Sequence, residues 1–95
     1  MTTKDAYIRM IEAKLEELDA EIRKLKARAK EESAQAELKL NEMMDQYRAD
    51  RQDLEKKLGA LQKSSGTAWN DMQEGIDRAL GELKASFEKA SSRFR

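Results

Sequence analysis

The chain has 95 residues, of which 40% are charged, and its 19 basic and 19 acidic side chains give a formal net charge of zero. It contains no proline, cysteine or histidine, which excludes disulfides, thiolate chemistry and the general base most often used near neutral pH. The balanced charge argues against a nucleic-acid partner, and no residue pattern indicates catalysis, a metal or a cofactor.

Apolar residues recur every three or four positions along almost the whole chain, which is the period of an α-helix with one buried face. This pattern predicts an all-α fold formed by a single coiled-coil module over residues 1–95. We expect a long helix over residues 4–63, a turn over 64–67 and an amphipathic return helix over 68–94. The predicted architecture is an elongated helical hairpin that forms oligomers.

The first part of the predicted long helix carries a strict heptad pattern. In the hairpin, this part would extend beyond the return helix and leave its apolar stripe uncovered. A long isolated helix gains little stability without packing, so we expect a homo-oligomer, with a dimer favoured. The residues predicted to form the oligomer seam are Ile8, Ile11, Leu15, Leu18, Ile22 and Leu25.

The stripe is weak in two places. Over residues 26–37 it holds only small side chains, but the surrounding residues favour a helix, so the main interpretation is a continuous, loosely packed helix. The alternative is a turn near Glu31–Ser33, which would give three helices of nearly equal length. Further on, Asp50 and Arg51 occupy the stripe, as polar residues do where a seam fixes register or partner.

The turn is predicted from the segment Ser64-Ser65-Gly66-Thr67, where Gly66 suits a helix C-terminus and Thr67 the next N-cap. Because the phase of the stripe continues through Gly66, the alternative is one uninterrupted helix of about 140 Å. A hairpin would bring together these packing residues: Met43, Tyr47, Leu54, Leu58, Leu61, Trp69, Met72, Ile76, Leu83, Phe87 and Phe94.

The return helix places Trp69, Leu80, Phe87 and Phe94 on one side, which suggests a lipid or membrane surface as an alternative partner. Acidic and basic residues are similarly frequent in this helix, so packing against the long helix is favoured. The chain has neither an N-terminal apolar run nor a stretch of roughly 20 apolar residues, so a cytoplasmic location is expected.

The last third of the chain combines the run Ser-Gly-Thr-Ala-Trp-Asn-Asp-Met at 65–72 with a spaced set of residues, Gly75, Ala79, Leu83, Ala90 and Ser92-Arg93-Phe94. With these residues it resembles the ending of small bacterial coiled-coil proteins of unknown function. Some of those proteins are compared with apolipoproteins because of an eleven-residue periodicity. The resemblance implies a helical fold and supplies no catalytic or binding residues.

The leading functional hypothesis is a non-enzymatic structural or scaffolding protein that acts through helix–helix contacts. Its expected partner is another copy of the chain or another helical protein. The alternative is a protein that binds a lipid or membrane surface through its amphipathic return helix.

Overall fold

The computed structural model describes residues 3–93, which form three α-helices and no strand: α1 (Thr3–Glu32), α2 (Ala34–Lys63) and α3 (Ala68–Ser92). The helices lie side by side in a bundle whose principal dimensions are 51 × 21 × 17 Å. α2 runs antiparallel to both of its neighbours, and α1 also contacts α3. The prediction of an elongated, all-α chain is therefore confirmed.

The predicted unbroken helix over residues 4–63 is wrong, because the chain turns at Ser33. This residue has an extended backbone, with φ −174° and ψ 161°. Its Oγ accepts a hydrogen bond of 3.0 Å from the backbone N–H of Ala36, which caps the N-terminus of α2. Folding back at Ser33 interrupts a few helical hydrogen bonds but buries the apolar stripe of α1, which a straight helix would leave in water.

Residues 64–67 connect α2 to α3 at the position of the predicted turn. Gly66 has a φ of +63°, in the left-handed region where a residue without a Cβ is favoured. The N–H of Ser64 donates to the carbonyl of Leu61 at 3.1 Å and closes the end of α2. Thr67 occupies the N-cap position of α3, but its side chain makes no capping hydrogen bond.

One apolar core runs the length of the bundle and receives side chains from all three helices. No polar or charged residue is fully buried among residues 3–93. The packing therefore follows the expected separation of an apolar interior from a polar surface. The buried residues are Tyr7, Ile8, Ile11, Leu15, Ile22, Leu25, Ala29, Leu40, Met44, Tyr47, Leu54, Leu58, Leu61, Ile76, Ala79, Leu80, Leu83 and Ala90.

Candidate interaction surface

The residues predicted to form an oligomer seam lie inside the bundle. Five of them are buried against other parts of the same chain, and Leu18 is half-buried at the edge of the core. The five buried residues are Ile8, Ile11, Leu15, Ile22 and Leu25. α2 and α3 thus cover the stripe of α1, so an uncovered stripe no longer supports association with another chain.

The residues predicted to pack in a hairpin divide into two groups. Tyr47, Leu54, Leu58, Leu61, Ile76 and Leu83 are buried, whereas Met43, Trp69, Met72 and Phe87 are partly buried against the core. Phe94 lies outside the residues that the structure describes. Leu80, which the lipid hypothesis placed on an exposed face, is buried as well.

A polar cluster joins α1 to α2 at the edge of the core. The Arg51 guanidinium donates two hydrogen bonds to the Asp19 carboxylate, from Nε at 3.0 Å and from Nη2 at 2.7 Å. The Tyr47 hydroxyl donates to the same carboxylate at 3.3 Å, and Arg51 also pairs with Glu55 one turn along α2. The fork-shaped contact fixes the register of α1 against α2.

These contacts shift the ionisation of all three groups. The hydrogen bonds from Arg51 hold the pKa of Asp19 below its usual value, although partial burial of the carboxyl acts in the opposite direction. Burial, together with the charge of Asp19, raises the pKa of Tyr47 to about 12. The Asp19 carboxylate raises the pKa of Arg51.

Replacing Asp19 by Asn is expected to lower the free energy of unfolding by about 1–2 kcal/mol at neutral pH, because a hydrogen-bonded charge is lost at a partly buried site. The pKa of Asp19 is depressed in the folded state, so its contribution is present above the unfolded value of 3.8 and is lost as the pH falls below it. The difference between the native chain and Asp19→Asn should therefore vanish in acid, measured by urea unfolding with circular dichroism.

The matched control is Asp45→Asn, which breaks a 2.7 Å pair with Arg48 that is largely exposed on one helix. We expect a loss below about 0.5 kcal/mol there. Equal losses for the two variants, or a difference that persists in acid, would contradict the role assigned to Asp19.

A second polar contact joins the beginning of α1 to α3. The Tyr7 hydroxyl donates its hydrogen bond to the Asp77 carboxylate, and its oxygen also lies 3.3 Å from the backbone carbonyl oxygen of Gln73. The Tyr7 and Trp69 rings pack with their centroids 6.1 Å apart. Burial is the main cause of a raised pKa for Tyr7, and the Asp77 carboxylate adds to it. Residues Tyr7 and Asp77 were not identified from the sequence.

Partly exposed apolar surface remains in a shallow groove between α2 and α3, which we call the α2–α3 groove. Near the 64–67 connection it is lined by Lys57, Ala60, Asp71, Met72, Gly75 and Ile76. Near the far end it is lined by Glu42, Met43, Gln46, Ser86, Lys89 and Ala90. At the inner side of the far end, the Ser86 hydroxyl donates to the Asp50 carboxylate and ties the two helices together.

Charges at the two ends of the α2–α3 groove have opposite arrangements. Near the connection, the cation Lys57 lies on α2 and the anion Asp71 on α3. At the far end, the anion Glu42 lies on α2 and the cation Lys89 on α3. A two-fold related copy placed face to face with this groove would meet opposite charges at both ends, whether it runs parallel or antiparallel.

Gly75 leaves room at the floor of the groove. A Cβ at this position would have no atom of the chain within 4 Å beyond its immediate neighbours. Glycine in a helix interior is less stable than alanine by about 1 kcal/mol. The packing of the three helices therefore does not require a glycine at this position.

Within residues 3–93 no cluster of acidic side chains has an arrangement that could hold a metal ion. None of the three described helices combines the length and apolar character needed to cross a lipid bilayer. Comparisons of the chain with protein-family models, with curated proteins and with solved structures gave no match. The resemblance to small bacterial coiled-coil proteins therefore stays a prediction.

Proposed function

We propose that the protein is a non-enzymatic structural protein that associates with a second copy of itself through helix–helix contacts along the α2–α3 groove. The observation that supports this most strongly is the self-complementary arrangement of Lys57, Asp71, Glu42 and Lys89 around an apolar groove. This proposal keeps the expected mode of action and moves the contact from the α1 stripe to the surface of α2 and α3.

The apolar residues of the groove supply the main attraction in this association. Met72 is partly buried, and its flexible side chain can adapt to a helix placed over Ala60 and Gly75. The charged pairs lie at the surface, where each contributes about 0–1 kcal/mol, so they select orientation more than they add affinity. Lys57 already pairs with Asp53 at 2.7 Å, and a carboxylate of the second copy would join this pair.

Met72→Glu is expected to lower the association constant of the purified protein at least about tenfold, because it places an unpaired carboxylate in the apolar part of the contact. Sedimentation velocity over a range of concentrations measures this constant. Met10→Glu is the matched control, since Met10 is 50% exposed on α1, away from the groove.

The control should associate as the native chain does, and circular dichroism should show the same helix content in all three proteins. A native chain that stays monomeric at every concentration, or a Met10→Glu variant that dissociates as strongly as Met72→Glu, would contradict the proposal.

A further inference from the structure

The junction between α1 and α2 consists of one residue. Ser33 is the only position between Thr3 and Lys63 that is not helical. Helical hydrogen bonding reaches it from both sides, because its N–H donates to the Ala29 carbonyl at 3.2 Å and its carbonyl accepts from the Glu37 N–H at 3.1 Å. The three-helix bundle, which we call the closed form, therefore differs from a chain with a straight helix over residues 3–63 mainly in the backbone conformation of Ser33.

The side chains around this junction present no obstacle to a straight helix. The flanking residues are Ala, Glu, Gln, Lys and Arg, which all favour helices. Ala29 and Ala36, one turn to either side of Ser33, are the only other residues of the stripe there. Two straight helices that cross at Ser33 would meet through small side chains and could approach closely.

The faces of α1 and α2 also match across the junction. On α1, Tyr7 bonds to α3, while the next residue, Ile8, lines an open surface pocket together with Gln62 of α2. On α2, Asp50 bonds to α3, while the next residue, Arg51, bonds to Asp19 of α1. On each of these two helices, a residue that contacts α3 is followed directly by a residue that faces the other helix. In one straight helix over residues 3–63, the two faces that contact α3 would lie on the same side.

We propose that Ser33 is a hinge through which two copies of the chain exchange α1. In the exchanged dimer, α1 and α2 of each copy form one straight helix, and the two straight helices run antiparallel past each other. Each α1 packs against α2 and α3 of the other copy and makes the contacts that it makes within one chain in the closed form. The exchange does not use the α2–α3 groove, so it can be tested independently of the proposed function.

The hinge is tested by a pair of substitutions with opposite effects on a straight helix. Ser33→Ala removes the hydroxyl that caps α2 and introduces the strongest helix former, so it should raise the dimer association constant at least about tenfold. Ser33→Gly should lower it, because glycine disfavours the straight helix and still permits the turn. Sedimentation velocity of both variants, each also carrying Met72→Glu to remove association through the groove, measures the change.

The shape of the dimer distinguishes exchange from association of closed copies. A straight helix over residues 3–63 is about 90 Å long, whereas closed copies placed side by side keep a length near 51 Å. X-ray scattering from the separated dimer of the Ser33→Ala, Met72→Glu double variant should therefore give a longest dimension of at least about 90 Å.

Spin labels provide a direct measurement because the native chain has no cysteine. Glu16→Cys and Gln52→Cys place labels on exposed positions of α1 and α2. Within one closed chain the labels lie on neighbouring helices whose axes are about 10 Å apart, whereas a straight helix separates them by about 54 Å. Pulsed electron resonance on labelled Ser33→Ala chain, mixed and refolded with excess unlabelled Ser33→Ala chain, should show the long distance.

A short distance in every dimer would overturn the exchange, and so would a Ser33→Ala variant that remains monomeric while circular dichroism shows it folded. A native dimer that keeps the short distance and is lost in Met72→Glu would leave the proposed function intact and refute the exchange alone.

Discussion

Truncation of Leu54 to alanine is expected to lower the free energy of unfolding by about 2–5 kcal/mol. Leu54 has no exposed surface and lies in α2, which packs against α1 and α3. The substitution removes the free energy gained by burying these side-chain atoms. It also leaves a cavity that three packed helices cannot close completely. Because a domain of this kind is stable by about 5–15 kcal/mol, a loss of this size is a large part of the total.

Leu38→Ala on the same helix is the matched control, since Leu38 is 64% exposed. Its effect should stay below about 0.5 kcal/mol. Urea unfolding followed by circular dichroism measures both changes, and Leu54→Met, which keeps the volume, should lose less than about 1.5 kcal/mol. Similar small losses for Leu54→Ala and Leu38→Ala would show that the core is not packed as described.

Alkaline conditions are expected to unfold the protein through its two tyrosines. Tyr7 and Tyr47 both have raised pKa values in the folded chain, mainly because burial disfavours the charged phenolate. Unfolded tyrosine loses its proton near pH 10, and Tyr47 in the folded chain does so near 12. The stabilising effect is complete below pH 10 and falls as the pH rises, by about 1.4 kcal/mol per pH unit for each tyrosine.

Absorbance of the tyrosinate and circular dichroism, recorded during one alkaline titration, measure this effect. Both signals should change together above pH 10, because the unfolded chain loses its tyrosine protons at a lower pH than the folded chain does. In a variant with Tyr7→Phe and Tyr47→Phe, the loss of helix should move to higher pH. Tyrosines that ionise near pH 10 while the helix signal stays unchanged would show that their hydroxyls are not held as described.

The helical fold and most of the core could be predicted from the sequence, because the three- and four-residue spacing marks the buried face whatever that face packs against. Ile11, Leu54 and Leu83 are examples, each of them fully buried. Tyr7, Met44 and Leu80 were missed because they lie beside the narrow stripe of a two-helix contact. A bundle of three helices buries a wider face, so apolar residues flanking the stripe were the available signal.

The turn at Ser33 could not be chosen from local preferences, since its neighbours all favour a helix. What decides it is the burial of the α1 stripe against α2 and α3, which is a contact between distant parts of the chain. The bond between Asp19 and Arg51 depends on the register that this turn creates, and residues 32 positions apart give no local signal. The α2–α3 groove could likewise not be predicted, because the position of α1 decides which side of the α2–α3 pair stays exposed.

The partners of Tyr7 have a consequence for biosynthesis. Gln73, Asp77 and Trp69 lie more than sixty residues downstream of Tyr7. During translation, α1 and α2 can pair as soon as they have left the ribosome, but the side of α1 that carries Tyr7 stays uncovered until α3 follows. Neighbouring ribosomes on one messenger would hold such half-covered chains close together, which makes synthesis the stage at which encounters between copies would have the greatest effect.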